Sequence, residues 1–155
     1  MKLVRATPQR LEFHLAGYEQ QLLARVLEFY PCLPPAHQRL CRAGGLPEEE
    51  AAQRLLDEAL AEQRRENKQQ TRALLADRQR FHQTATGWHL RLSPAELEGV
   101  FQVLNDVRIG CWVRLGSPEG PVPRVDERNV HLVAAMEQSA HLQMEFLKAL
   151  EGAGP

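Results

Sequence analysis

The feature that most constrains the fold is a single stretch, residues 93–116, which predicts a long and largely apolar helix. Ser93 followed by Pro94 and Glu96 is a capping box with proline at the first helical position. From this start, apolar residues recur at three- and four-residue steps, which collects them on one face. They are Leu97, Val100, Phe101, Leu104, Val107, Cys111 and Leu115. Beyond Asn105 the other sides also become apolar, so we expect this helix to be enclosed by other elements.

Two features of this helix need a structural reason. Gly99 and Gly110 each cost about 1 kcal/mol relative to alanine inside a helix, a cost that close packing of a neighbouring helix would recover. Arg108 falls within the apolar stripe on a helical wheel. An arginine keeps its charge in a protein interior, so a buried Arg108 would need a carboxylate.

Length and composition predict one ordinary globular domain. The chain has 155 residues, of which 43% are hydrophobic and 25% charged, and its net charge is -1. This balance gives no electrostatic signature of nucleic-acid binding. The first residues lack the apolar run of a secretory signal, and no stretch approaches the ~20 apolar residues of a membrane span. With three cysteines at uneven spacing, we expect reduced thiols and a cytoplasmic location. The predicted domain covers 1–151, and 152–155 should fray.

The remaining segments predict a mainly α fold, a bundle of four to five helices with a small three-stranded antiparallel sheet. Strands are expected at 3–6, 11–15 and 88–92, where apolar and polar residues alternate. Helices are expected at 16–30, at 48–84 and from Asp126 to about Glu151. The middle of the long helix, residues 62–72, contains no apolar residue. It should either project into solvent or break the helix in two.

A polar constellation is the main candidate site. Glu19, Arg108 and Glu137 each lie on the apolar side of a different predicted helix, and His141 follows Glu137 by one turn. We interpret the three as a structural ion network with Glu19 as the first partner of Arg108, or as long side chains that reach water from the edge of a stripe. The sharper alternative is a metal held by Glu137 and His141. An arginine in the same core would repel a cation, so the sequence predicts no metal and no cofactor.

The cysteines and Asp106 carry weaker signals. Cys32, His37 and Cys41 form a C-x4-H-x3-C pattern, but structural zinc takes four ligands at tighter spacings, so cysteines in a proline-rich loop are the favoured interpretation. Cys111 lies on the core stripe and should pack as a small hydrophobe. Asp106 points away from that stripe, between Gly99 and Gly110, towards a neighbour that the sequence does not identify.

The segment LNDVRIGCWVRLG, residues 104–116, resembles a bacterial family of uncharacterised proteins, domain of unknown function number two thousand and seventeen. Members show an LND-aliphatic-R core and an RLG ending in the penultimate helix. The matching residues are Leu104, Asn105, Asp106, Arg108, Arg114, Leu115 and Gly116. The resemblance implies short strands before a first helix containing Glu19, and a closing helix. Genes of this family often lie near the gene of the Clp protease adaptor. The resemblance therefore also implies the Clp adaptor or protease machinery as a candidate partner.

Together these patterns favour a non-enzymatic protein-interaction or regulatory module, with polar candidates Glu19, Asn105, Asp106, Arg108, Arg114, Glu137 and His141. Docking is expected through the polar middle of the long helix and the loop 117–125, because loops on a rigid scaffold commonly carry contacts. The alternative is a helical-bundle enzyme or metal protein that uses the inward carboxylates, His141 and Arg108. Neither nucleic acid nor a membrane is expected as a partner.

Overall fold

A computed structural model describes residues 1–33, 47–118, 120 and 124–152. Within these residues lie four helices and one antiparallel sheet, so the predicted mainly α class is confirmed. The helices are α1 (Gly17–Glu28), α2 (Pro47–Ala76), α3 (Pro94–Arg114) and α4 (Val130–Glu151). The strands are β1 (Lys2–Thr7), β2 (Arg10–Leu15), β3 (Phe81–Thr84) and β4 (Gly87–Leu92). The sheet therefore has four strands, and the prediction of three was wrong.

The sheet has the order β1-β2-β4-β3, and its central pair buries one face. Phe13 of β2 lies opposite Leu90 of β4, and Leu15 lies opposite Trp88. Phe13, Leu15 and Leu90 are all buried, as their alternation with polar neighbours predicts. On the edge strand β1 the pairing with β2 is interrupted by a bulge between Leu3 and Arg5.

The missed strand is β3, which the sequence placed inside a helix running to residue 84. The helix ends at Ala76, and the Asp77 carboxylate accepts a hydrogen bond from the Gln79 amide at 2.9 Å, which forms a turn. Phe81 then packs on Trp88 with ring centroids 5.1 Å apart, so tertiary packing overrides the helical pattern. Gly87 has φ of +155° beside β2, and a Cβ there would lie 2.4 Å from the Leu15 carbonyl oxygen.

Helix α2 is continuous through its polar middle, so the predicted break does not occur there, and most of this stretch is exposed, as the other alternative expected. Asn67 and Thr71 are buried within this stretch. Asn67 accepts a hydrogen bond from Gln63 at 3.0 Å and donates one to the Tyr30 hydroxyl at 3.5 Å. The polar stretch thus contributes part of the interior because its amides have partners there.

Helix α3 begins as the sequence predicts. Ser93 Oγ accepts from the Glu96 amide at 3.2 Å, and the Glu96 carboxylate accepts from the Ser93 amide at 2.8 Å. The buried face of α3 extends beyond the predicted stripe on one side, where it includes Val103 and Gly110. A Cβ at Gly99 would lie 3.9 Å from the side-chain oxygen of Gln70 in α2, so this glycine lies beside a helix but is not required by a close approach.

Helix α4 presents a different face to the core from the one predicted. Val133 is buried, but the other predicted inward positions are exposed, namely Val130, Ala140, Met144 and Leu147. The buried face carries Leu132, Ala135, Ser139, Leu142, Phe146 and Ala149. Both sides of this helix are apolar, so periodicity alone could not choose between them. Phe146 decides the orientation, because its ring packs edge-on against Phe13 with centroids 5.2 Å apart.

The start of α4 also differs from the prediction. The helix begins at Val130, and Asp126 caps the turn that precedes it, accepting from the Arg128 amide at 2.8 Å and the Asn129 amide at 3.0 Å. At its other end the helix reaches Glu151, with Gly152 as its cap. The rest of the predicted frayed tail, 153–155, and parts of the 117–125 loop lie outside the described residues.

Candidate functional site

Arg108 is exposed, so the predicted interior ion network is wrong. Its Nη2 donates to Asn105 Oδ1 at 3.1 Å, one turn earlier on the same helix. The buried face of α3 is centred near Leu104 and Val107, about a quarter turn from Arg108. The prediction placed the centre of that face too close to Arg108 and therefore assigned a surface arginine to the core.

Glu19 is buried, as predicted, but its partner is the amino terminus. Its carboxylate forms a close ion pair with the Met1 ammonium group and accepts a hydrogen bond from the Ala16 amide at 2.7 Å. The exposed fraction of Glu19 is 2%. This carboxylate thus serves two donors at the start of α1, where a negative charge also suits the helix dipole, whereas Arg108 pairs with Asn105 on α3.

Glu137 and His141 are both exposed on the outer side of α4. They do not face Glu19, because the face of α4 that carries them points away from the core. In the part of the chain that the structure describes, no group of three or more His, Cys, Asp or Glu side chains is arranged to hold a metal ion. His37 and Cys41 of the C-x4-H-x3-C pattern lie outside the described residues.

A surface groove between α3 and α4 brings two of the predicted residues together. This α3–α4 groove has a volume of about 410 Å³ and is lined by Arg108, Ile109, Trp112, Met136, Glu137 and Ala140. Apolar side chains make up most of its wall, with one positive charge contributed by α3 and one negative charge by α4. The groove can therefore receive an apolar group and orient it electrostatically.

Asp106 is the centre of a second arrangement, which we call the Asp106 site: Asp106, Cys111 and Arg114 of α3, with Cys32 and with Arg64 of α2. Asp106 Oδ1 accepts from the Cys32 amide at 2.9 Å and from the Leu33 amide at 3.1 Å. Its other oxygen lies 3.8 Å from Arg64 Nε. The neighbour that the sequence could not identify is thus the chain just after α1, held by two charge-assisted hydrogen bonds.

Gly110 makes this arrangement sterically possible. A Cβ at this position would lie 2.5 Å from both the Cys32 carbonyl carbon and the Leu33 nitrogen. The predicted close approach is therefore real, but the neighbour is the irregular segment after α1 and not a helix. Asp106, Gly110 and Arg114 follow one another at four-residue steps and so lie along the side of α3 that faces this segment.

The Asp106 site contains two thiols in contact. Cys32 Sγ and Cys111 Sγ are 3.6 Å apart, and Arg114 Nη1 lies 4.0 Å from Cys32 Sγ. The hydrogen bond from the Cys111 thiol, helped by the Arg114 guanidinium, lowers the pKa of Cys32 to about 6, against the opposing effect of burial. The pKa of Cys111 is raised, by its hydrogen bond to Cys32 and by burial. Cys32 is therefore the thiol that ionises first.

The pH dependence of Cys32 alkylation should reveal this shift. Only the thiolate reacts with iodoacetamide, so the rate in a Cys41→Ala background should be low below pH 6 and approach its plateau above it. An unperturbed cysteine would reach half its maximal rate near pH ~8.5. Because the Cys111 thiol is the main cause of the shift, Cys111→Ala should move the midpoint upwards. If the alkylation rate had a higher midpoint pH with Cys111 present than in Cys111→Ala, both in the Cys41→Ala background, the Cys111 thiol would not be the cause of the lowered pKa.

Cys32 also borders an open surface, which we call the basic groove. This groove has a volume of about 500 Å³, and its wall includes Pro31, Cys32, Leu33, Asp57, Arg64, Arg65 and Lys68. Its charged lining consists of three positive side chains and one carboxylate, all on α2, so the lining has a net positive charge. Among the described residues, this net positive charge favours an anionic molecule in the groove beside Cys32.

Sequence reasoning placed Asp106 and Arg114 among the candidates but missed their partners. Cys32 and Cys111 were interpreted separately as packing residues, and Arg64 as part of a solvated helical face. Cys32 and Cys111 are 79 residues apart in sequence. The one available signal was Gly110 beside Cys111, since a glycine within a helix can allow another backbone to approach closely. It does not identify which segment approaches.

Comparisons with known proteins do not assign the chain to a family. Among the described residues, no helix has the combination of length and apolar character needed to cross a membrane. No known family, curated protein or solved structure matches the chain. The family resemblance of residues 104–116 therefore stays a prediction, and function has to be argued from the two surfaces described above.

Proposed function

We propose that this protein is a non-enzymatic protein-interaction module that seats an amphipathic helix of a partner protein in the α3–α4 groove. The observation that carries the proposal is an apolar surface on two adjacent helices that no other described residue covers. Trp112 is 39% exposed at the groove, and Met144 and Leu147 are 55% and 48% exposed. From Met136, residues 140, 144 and 147 follow at four- and three-residue steps, so they extend the groove wall along one side of α4.

The shape of the groove favours a separate helix over a second copy of the chain. Two copies meeting through this surface would place one concavity against another and leave both unfilled, which forfeits packing energy. A partner helix can instead insert apolar side chains spaced at i, i+3 or i+4, and i+7. The volume of about 410 Å³ also lies within the range of ~300–1,000 Å³ that is typical of binding pockets.

The charges at the groove define the partner further. Arg108 of α3 and Glu137 of α4 both line it. A complementary helix would carry an acidic residue on the flank towards α3 and a basic residue on the flank towards α4, which fixes its orientation. From the family resemblance, we propose the Clp adaptor or protease machinery in the cytoplasm as the first partner to test.

The enzyme alternative has lost its geometric support. It needed Glu19, Glu137, His141 and Arg108 to converge in the core. Glu19 pairs with the amino terminus, and the other three side chains are exposed. In the polar middle of α2, Asn67 and Thr71 are buried, so a partner would contact only the outer positions of this stretch.

Site-specific photo-crosslinking tests the proposal. A photoreactive amino acid replaces Ala140 in the groove or, as the matched control, Leu55, which is 68% exposed on α2 outside the groove. We expect crosslinks from position 140, but not from 55, to an amphipathic helix of one partner. With that partner purified, Ala140→Arg should weaken binding by about tenfold or more, because a charge would occupy the apolar groove, and Leu55→Arg should not.

Three results would refute the proposal. One is equal crosslinking from both positions, and another is a partner affinity unaffected by Ala140→Arg. The third is crosslinking of position 140 to a second copy of this chain, together with a dimer that is lost in Ala140→Arg. Analytical ultracentrifugation measures the dimer. That last result would make the groove a contact between copies.

A further inference from the structure

We propose that Cys32 and Cys111 form a redox-active dithiol that exchanges with anionic low-molecular-weight disulfides entering the basic groove. The inference concerns a different surface from the α3–α4 groove and stands independently of the interaction proposed there. Three features support it: the contact between the two sulfurs, the position of Cys32 in the wall of the basic groove, and the positive side chains that line this groove.

The two sulfurs are placed for direct exchange. Their separation is 3.6 Å, which is van der Waals contact between reduced thiols. Gly110 allows the backbone of the Cys32 segment to lie against α3 beside Cys111, so both main chains already run close together. Formation of a disulfide would bring the sulfurs from 3.6 Å to about 2.05 Å.

The two thiols have different roles because their surroundings differ. Cys32 is 7% exposed and lines the basic groove, whereas Cys111 has an exposed fraction of 0% and does not line it. Cys32 also lies near Arg114, which stabilises a thiolate. Cys32 is therefore the attacking residue, and Cys111 is the resolving residue.

The reaction balances without any further reagent. The Cys32 thiolate attacks one sulfur of the small disulfide, whose S–S bond breaks and releases one thiolate, leaving a mixed disulfide on Cys32. Cys111 loses its proton to the released thiolate or to solvent, and its sulfur attacks Cys32 and displaces the second small thiol. The protein dithiol is oxidised by two electrons, and the small disulfide is reduced to two thiols.

The raised pKa of Cys111 does not block the second step. Hydrogen bonding to Cys32 is its largest cause. Once Cys32 is part of a mixed disulfide, it no longer carries the negative charge that opposes ionisation of its neighbour. The first step thus prepares the second, as in other dithiol pairs with one attacking and one resolving sulfur.

The basic groove selects the small disulfide by charge. Arg64, Arg65 and Lys68 line it together with Asp57. Arg64 is also held by Asp106, so its side chain belongs to the structural arrangement. Arg65 and Lys68 are the charges chosen for substitution, since Arg65 is exposed and pairs with Glu62 on α2, and Lys68 is half-buried. They should accelerate reaction with an anionic disulfide but not with a neutral one.

Mass spectrometry of the folded full-length chain with Cys41→Ala tests the proposal, using oxidised glutathione as the anionic probe. We expect the intact mass to fall by two hydrogen atoms, and proteolysis to yield a Cys32–Cys111 linked peptide. In Cys111→Ser the mixed disulfide should persist on Cys32, and in Cys32→Ser neither product should form. Arg65→Gln with Lys68→Gln should slow the reaction of glutathione disulfide by about tenfold and leave that of neutral hydroxyethyl disulfide unchanged.

Circular dichroism shows whether each variant is folded. If a variant is not folded, the Cys32–Cys111 linkage in the chain with Cys41→Ala alone serves as the readout. The dithiol is refuted if no Cys32–Cys111 linkage forms at any ratio of oxidised to reduced glutathione, or if it forms only in denaturant. Equal slowing of both small disulfides by the charge variants would overturn the role of the basic groove. Oxidation by hydrogen peroxide but not by glutathione disulfide would overturn the proposed class of oxidant.

Discussion

Replacing Gly110 with alanine should lower the free energy of unfolding by about 1 to 3 kcal/mol, even though alanine is the better helix former. The added Cβ would lie 2.5 Å from the Cys32 carbonyl carbon and from the Leu33 nitrogen, and 2.8 Å from the Cys32 oxygen. These are backbone atoms, which cannot rotate away as a flexible side chain would. The segment after α1 would have to move off α3, and urea denaturation of the purified variant measures the cost.

Gly99 provides the matched control for this prediction. It lies in the same helix, and the nearest atom to a Cβ there is the Gln70 side-chain oxygen at 3.9 Å. Gly99→Ala should therefore raise the free energy of unfolding by up to about 1 kcal/mol, the difference in helix propensity. If both variants changed stability in the same direction, the close approach at Gly110 would not be the determining factor.

Replacing Asp106 with alanine should have an effect of similar size, about 3 kcal/mol of lost stability. Its Oδ1 accepts from two backbone amides, Cys32 and Leu33, and hydrogen bonds to a charged group contribute about 1.5–3 kcal/mol each. These contributions are not additive, and water can reach part of the site, because 13% of the Asp106 side chain is exposed. Chemical denaturation followed by circular dichroism gives the value.

Asp106→Asn separates the hydrogen bonds from the charge. Asparagine keeps an oxygen that can accept from the same two amides, but it loses the attraction to Arg64 at 3.8 Å. We expect it to lose less than half of what the alanine variant loses. An asparagine variant as unstable as the alanine variant would show that the charge, and not the pair of accepted hydrogen bonds, holds the segment.

The sequence predicted those elements whose signals are local. The capping box at Ser93 begins α3, and the alternation of apolar residues in β2 and β4 produces the central strands of the sheet. In both cases the pattern and the packing agree. The strand β3 was missed because its four residues follow a helical pattern without a strong break, and Phe81 finds its partner Trp88 only once the hairpin has formed.

The candidate site was harder to predict because it depends on which side of each helix faces inwards. Helices α3 and α4 are apolar on more than one side, so a wheel cannot locate the centre of the buried face. This error placed Arg108 and Glu137 in the core. Asp106 was located correctly between the two glycines, but the Cys32 segment reaches it across 74 residues of sequence. No periodicity spans that separation.

The bulge between Leu3 and Arg5 has a consequence for self-association. An unpaired edge strand is a template on which another chain can add a strand and begin to aggregate. Here the outer strand β1 carries Lys2 and Arg5 on exposed positions, and the irregularity beside Val4 breaks the even row of donors and acceptors that an incoming strand would need. The opposite edge, β3, is only four residues long. Growth of fibrils from this sheet is therefore disfavoured from both sides.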